Sequence, residues 1–268
     1  MTRRSMGSHE LRLIAAAALA FAASSHAADS QQCSAEQLAP VDAWLAQHPW
    51  RVGSTRPDQL AASACKGSPT DKGTTIVVAA YDRGTPYDKN LVVALVSTRV
   101  VAAFTGAIEE DASLMVGRDS LRLDTARYDL APGVRAFGLD VSSAKAGPHC
   151  ADGGSGAART LFVRDGAALR PVLRGALLES WHVEGGTTPC AEIDPDTKGL
   201  GEVVDTTTSL SMLPHVTHGF ADIALTSTAD ARPRKRTRVV LHYDGSAYVG
   251  DGFQPWLPGI VPDAGGAH

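Results

Sequence analysis

From residue 74 onward the apolar positions fall at strand period rather than helix period. TTIVVAAYDRG (74–84), LVVALVST (91–98) and RVVAAFTGAI (99–108) are dense in Val, Ile and Ala with little internal polarity. Such runs predict strands covered on both faces. Residues 119–130 (DSLRLDTARYDL) alternate instead, with Leu121, Leu123 and Thr125 on one side and Arg122, Asp124 and Ala126 on the other. One face of that strand is therefore expected to be wet.

Two longer stretches, 133–173 and 219–249, share one layout: a strand, a polar loop, a second strand, an Asp-Gly turn and a third strand. The turns are Asp165-Gly166 and Asp244-Gly245. This is the pattern of an antiparallel meander. Repeated units with one sticky face need neighbours to bury it. The expected fold is mainly β, an antiparallel β-sandwich or propeller-like meander repeats, with a small N-terminal helical cap.

The cap is read in residues 28–72. Leu38, Val41, Trp44 and Leu45 make a helical face behind Ser34 as N-cap, with Pro40 near its start. DQLAASA (58–64) reads as a second short helix leading to Cys65, and 66–73 as a linker. The β domain then occupies 73–253. Within it, 144–158 is a Gly-rich loop, 176–183 is strand or short helix, and the Thr-rich 203–213 is a half-exposed or edge strand. Residues 254–268 form a Pro/Gly-rich tail, frayed or laid along the surface as extended chain.

Export is expected from residues 1–27. Arg3, Arg4 and Arg12 precede or enter an apolar run at 13–23, and Ser25-His26-Ala27 fits a small-x-small cleavage site. That run falls short of the roughly 20 residues needed to span a bilayer, and nothing later reaches that length, so no transmembrane anchor is expected. The signal peptide places the protein in the periplasm or outside the cell. There the four cysteines read as disulfides. The favoured pairs are Cys33 with Cys65 and Cys150 with Cys190, each local.

Composition narrows function mainly by exclusion. Aromatic residues are 6% of the chain, too few for a surface that stacks on bases or sugars. Without residues 1–27 the chain keeps 22 basic and 28 acidic residues, a net charge of −6 that disfavours nucleic acid as a partner.

No catalytic residues and no cofactor motif are assigned. Ser142-Ser143-Ala144-Lys145 matches SxxK but runs from a strand into a Gly-Pro loop, and residues 153–157 (GGSGA) resemble a nucleophile elbow without the flanking strand and helix. They are read as loop. The acidic cluster Glu109, Glu110, Asp111, Asp119 and Asp124 offers carboxylates for a hydrolase acting on envelope material, or for a cation. His215 and His218, in PHVTH, support a His-based metal carrier if a turn lets them converge; in a strand they would face opposite ways. The sequence assigns no metal site beyond that alternative. The basic run 232–238 packs Arg232, Arg234, Lys235, Arg236 and Arg238 together. It is the expected binding surface for an envelope protein or polyanion, or else a guard on the following strand. The leading expectation is a non-enzymatic binding or interaction protein.

The segments LRLDTARYDLAPGVRAFGLD and GFADIALTSTA followed by VVLHYDGSAYV resemble parts of exported proteins of Gram-negative bacteria, and are similar to blades of the FG-GAP or VCBS type. The resemblance covers about a third of the chain. It implies β architecture and export and no activity. The acidic calcium loop of those blades is not found ahead of Asp222, so their cation site is not carried over.

Overall fold

A computed structural model describes residues 31–50, 59–83, 88–145, 151–185, 201–256 and 260–262. All of them lie in the unit Gln31–His268. The long apolar runs become β2 (Thr75–Asp82), β3 (Asp88–Val96) and β4 (Val100–Glu109). With β1 (Leu60–Gly67), β5 (Leu121–Ala131), β6 (Val134–Val141), β8 (Ala158–Asp165) and β9 (Ala168–Leu177) they build a sheet ordered β1-β2-β3-β4-β9-β8-β6-β5. Its pairings are antiparallel except the parallel contact of β4 with β9. The short β15 (Ile260–Pro262) takes the remaining edge of β4.

A second sheet is ordered β14-β13-β12-β11-β10-β7. It contains β7 (Gly153–Ser155), β10 (Glu179–Glu184), β11 (Glu202–Thr217), β12 (Phe220–Ala229), β13 (Lys235–Tyr243) and β14 (Tyr248–Val249). Both sheets are curled half-barrels. The two meanders are real as local units, β6-β8-β9 and β12-β13-β14, but they join larger sheets instead of standing as separate blades. The coarse expectation holds: mainly β with a short N-terminal helix.

Curling explains why β2 and β3 carry apolar residues on both faces. Ile76, Val78, Leu91 and Val93 point into the first sheet's concave core with Phe104, Leu123, Phe137 and Phe162. Val77, Ala79, Tyr81 and Val92 point outward, beneath Leu38, Val41 and Leu45 of α1 (Ala35–Leu45). Ser34 caps α1 with a capping box through Gln37, satisfying two amides of the first turn. The other half of the first sheet turns its outer face to the second. Leu130, Leu161, Val163 and Val172 pack there against Ile223, Leu225, Leu241 and Tyr243. The second sheet's opposite face, the one carrying Ser209, Ser211 and Arg238, is left to solvent.

Several local expectations are corrected. The segment read as a second helix is β1, in register with β2, because Ala62 and Ala64 alternate into the core. GGSGA supplies the strand β7, paired to β10, where absent side chains let the Trp181 ring lie against Gly154. β11 is not an edge strand, since β10 and β12 flank it, but it is half exposed as expected. The tail is neither wholly frayed nor wholly irregular, for residues 260–262 pair with β4. Cys33 and Cys65 form a disulfide, whereas Cys150 and Cys190 lie outside the described residues. Among the described residues no helix is long and apolar enough to cross a membrane.

Candidate metal centre

The two-residue turn His218-Gly219 closes the hairpin of β11 and β12. Both residues have positive φ, 48° and 87°, as a hairpin of this length and twist requires. Counting outward from that turn pairs Thr217 with Phe220 and Val216 with Ala221. The next pair along is His215 with Asp222. Farther from the turn the register differs: Met212 pairs with Ile223. Three residues, Leu213, Pro214 and His215, therefore stand opposite Asp222 in a bulge. Pro214 has no amide hydrogen to lose from the ladder, which suits it to this place. Without the two extra residues, Leu213 would oppose Asp222.

On the other side β12 pairs with β13 through Ile223 and Leu241, so the next step sets Asp222 beside His242. A row of three side chains across three strands results. His215 Nδ1 lies 2.6 Å and His242 Nδ1 2.8 Å from Asp222 Oδ2. Thr217 Oγ1 donates to Asp222 Oδ1 at 2.8 Å. The Asp222 side chain is only 1% exposed, while those of His215 and His242 are 73% and 52% exposed. The anchor is buried and the two imidazoles stand in the open.

Burial by itself would push the Asp222 carboxyl up. The hydrogen bonds from Thr217, His215 and His242 outweigh it and hold the group below the usual carboxylate range. Asp222 is thus an anion that only accepts, so both imidazoles donate to it from Nδ1. Its charge also acts on Tyr248, whose hydroxyl is pushed up first by burial and then by Asp222. The Tyr248 hydroxyl stays protonated and donates to the Ala221 carbonyl at 2.6 Å.

The ligand atoms of His215, Asp222 and His242 lie within 4.8 Å of one another, the one such group of His, Cys, Asp or Glu among the described residues. Two imidazoles and a carboxylate suit zinc, copper or nickel. Tetrahedral bonds of about 2.0–2.2 Å set ligand atoms roughly 3.3 Å apart. The Nδ1 to Oδ2 separations of 2.6 and 2.8 Å need to widen by about half an ångström, which exposed imidazoles can do by side-chain rotation, and each Nδ1 hydrogen must move to Nε2 through solvent so that the Nδ1 lone pair is free to ligate. Thr217 fixes the carboxylate by its other oxygen, as outer groups around metal ligands do. A tetrahedral ion held by these three residues would keep one coordination position for a further ligand.

The expected pairing of His215 with His218 is corrected. His218 occupies the turn and its Nδ1 donates to the Tyr243 carbonyl at 2.9 Å, away from the triad. Asp222 and His242 take its place. A signal was present in the His-Gly dipeptide three residues on from His215 and in a lone Asp within the otherwise apolar FADIAL run.

The acidic cluster does not gather. Glu110 Oε2 accepts from Lys89 Nζ at 2.7 Å, and its Oε1 accepts from the Val116 amide. Asp111 accepts from the Ser113 and Leu114 amides of its own turn. Asp119 accepts from Gln32, and Asp124 from Tyr128 beside Arg159.

Of the basic residues, Arg232 and Arg234 precede β13, while Lys235, Arg236 and Arg238 lie at its start and pair with β12. The run is thus half strand. Lys235 Nζ meets Glu184 Oε1 at 2.8 Å. Among the described residues β14 covers only Tyr243 and His242 on the far side of β13, and no other strand pairs there with the part that carries the basic residues.

Comparison of the chain with protein-family models, curated proteins and solved structures finds no match. The functional reading therefore rests on the site.

Proposed function

We propose that this is an exported protein that binds a divalent transition-metal ion through His215, Asp222 and His242. The observation that carries the proposal is the row itself. Two exposed imidazoles converge on one oxygen of a buried, ionised carboxylate whose other oxygen is already occupied by Thr217. The exposure of both rings favours a carrier or sensor, in which the ion enters and leaves from solvent, over an enclosed structural ion. Export is supported by the apolar run near the N-terminus and by the Cys33–Cys65 disulfide, a bond that persists in oxidising compartments.

The test is calorimetric titration of the chain lacking residues 1–27 with Zn²⁺, Cu²⁺ and Ni²⁺, with elemental analysis of the dialysed protein. One ion per chain is expected. His215→Ala or His242→Ala should weaken binding by about 10- to 100-fold or more, whereas His218→Ala should leave it intact. Binding that survives both substitutions would assign the ion elsewhere.

A further inference from the structure

The face that carries the triad continues away from it in three more rows. Ser211, Ala224 and Val240 share one, Ser209, Thr226 and Arg238 the next, and Glu179, Thr207, Thr228 and Arg236 the last, with Glu179 on β10 three strands away from Arg236. Thr207, Ser209 and Ser211 are exposed, as are both arginines. Neither arginine has a carboxylate partner among the described residues. Lys235, on the alternate side of the strand, is already held by Glu184. Along β13, Arg238 lies about 13 Å and Arg236 about 20 Å from His242 at the rise of an extended chain.

The face is open to solvent and its rows follow one another along the strands, which suits an extended ligand better than a compact one. Its ends ask for the same chemistry. A bound ion would leave a coordination position for an anionic oxygen, and a guanidinium presents a planar fork that matches phosphate. Between them the serine and threonine hydroxyls can donate. The rows carry no aromatic ring on which a base or sugar could stack.

We infer that the metal-loaded face binds a linear chain of phosphates, one end on the ion and the other on Arg238 and Arg236. This inference rests on the metal-binding reading and adds its ligand class. No bond is made or broken. One phosphate oxygen occupies the open coordination position, and the arginines hold phosphates farther along the chain.

The experiment follows trace fluorescent polyphosphate by anisotropy, with protein in large excess so that the chain does not strip the ion. The chain must be long enough to span both ends of the face. Zn²⁺-loaded protein is expected to bind about tenfold more tightly than metal-free protein. The double variant Arg236→Ser with Arg238→Ser should lose about tenfold, the loss of at least one charge-assisted hydrogen bond, while its Zn²⁺ affinity in calorimetry stays unchanged. Orthophosphate, too short to bridge, should bind both proteins alike. Unaltered polyphosphate binding in the double variant overturns the inference and leaves the metal site standing, as does equal binding of polyglutamate. Failure to bind Zn²⁺ at all removes both readings together.

Discussion

The side-chain amide of Gln31 pairs with both backbone groups of Leu123. The Leu123 amide donates to Gln31 Oε1 at 2.7 Å, and Gln31 Nε2 donates to the Leu123 carbonyl at 3.1 Å. The Gln31 carbonyl meanwhile accepts from the Cys65 amide of β1 at 2.6 Å. One residue thus spans the gap between β1 and β5, the two edges of the curled first sheet, and stands in for a missing strand. Lys66 Nζ supports it by donating to the same Leu123 carbonyl at 3.3 Å.

Gln31→Ala should therefore destabilise the protein by about 1–3 kcal/mol, the cost of leaving a part-buried amide without its acceptor. Denaturant unfolding followed by circular dichroism measures it. An unchanged midpoint would mean that water replaces the Gln31 side chain at no cost.

Asp222 predicts an acid limb in stability. Its carboxyl is held below the ordinary range in the folded protein, so its contribution is fully present above the unfolded carboxylate value. It is lost as pH falls through the depressed folded value, where the folded carboxylate takes up its proton. In Asp222→Asn this part of the acid dependence should disappear, and Zn²⁺ binding should fall with it. Thermal melts between neutral and strongly acid pH, run on both proteins without metal, give the comparison.

The Lys89 side chain is 9% exposed and stands between Glu110 at 2.7 Å and Asp82 at 3.0 Å. Burial pulls its ammonium down, but hydrogen bonds to Glu110 and Asp82 more than offset that and hold it above the usual value. Lys89→Met strands Glu110, whose side chain is 3% exposed, as a buried charge. The expected cost is about 3–5 kcal/mol. Adding Glu110→Gln should restore much of it, and a double-mutant cycle by chemical denaturation reads the coupling.

Much of the architecture was legible because strand period, β-branched runs and Asp-Gly turns are local signals. They located β2 to β6, β8, β9 and β11 to β13, and the Ser34 cap located α1. The readings that failed were also local: DQLAASA has helical composition, yet its alanines fit the crowded core beside β2, and tertiary packing overrode propensity. GGSGA looked like loop because its pairing partner is distant in sequence, Gly154 lying opposite Trp181 of β10.

The metal centre divides along the same line. The chain by itself offered His215 as a candidate ligand, with a His-Gly dipeptide three residues on, but the register that sets His215 against Asp222 came with the β11–β12 hairpin and its bulge. Nothing local could bring in His242, which lies 27 positions downstream of His215 and reaches Asp222 only across the β12–β13 ladder. Nor could it show that Asp222 would be buried and ionised while both imidazoles stay in solvent. Those properties arise because the second sheet packs one face on the first and leaves the other open, and burial of that kind is decided by the whole fold.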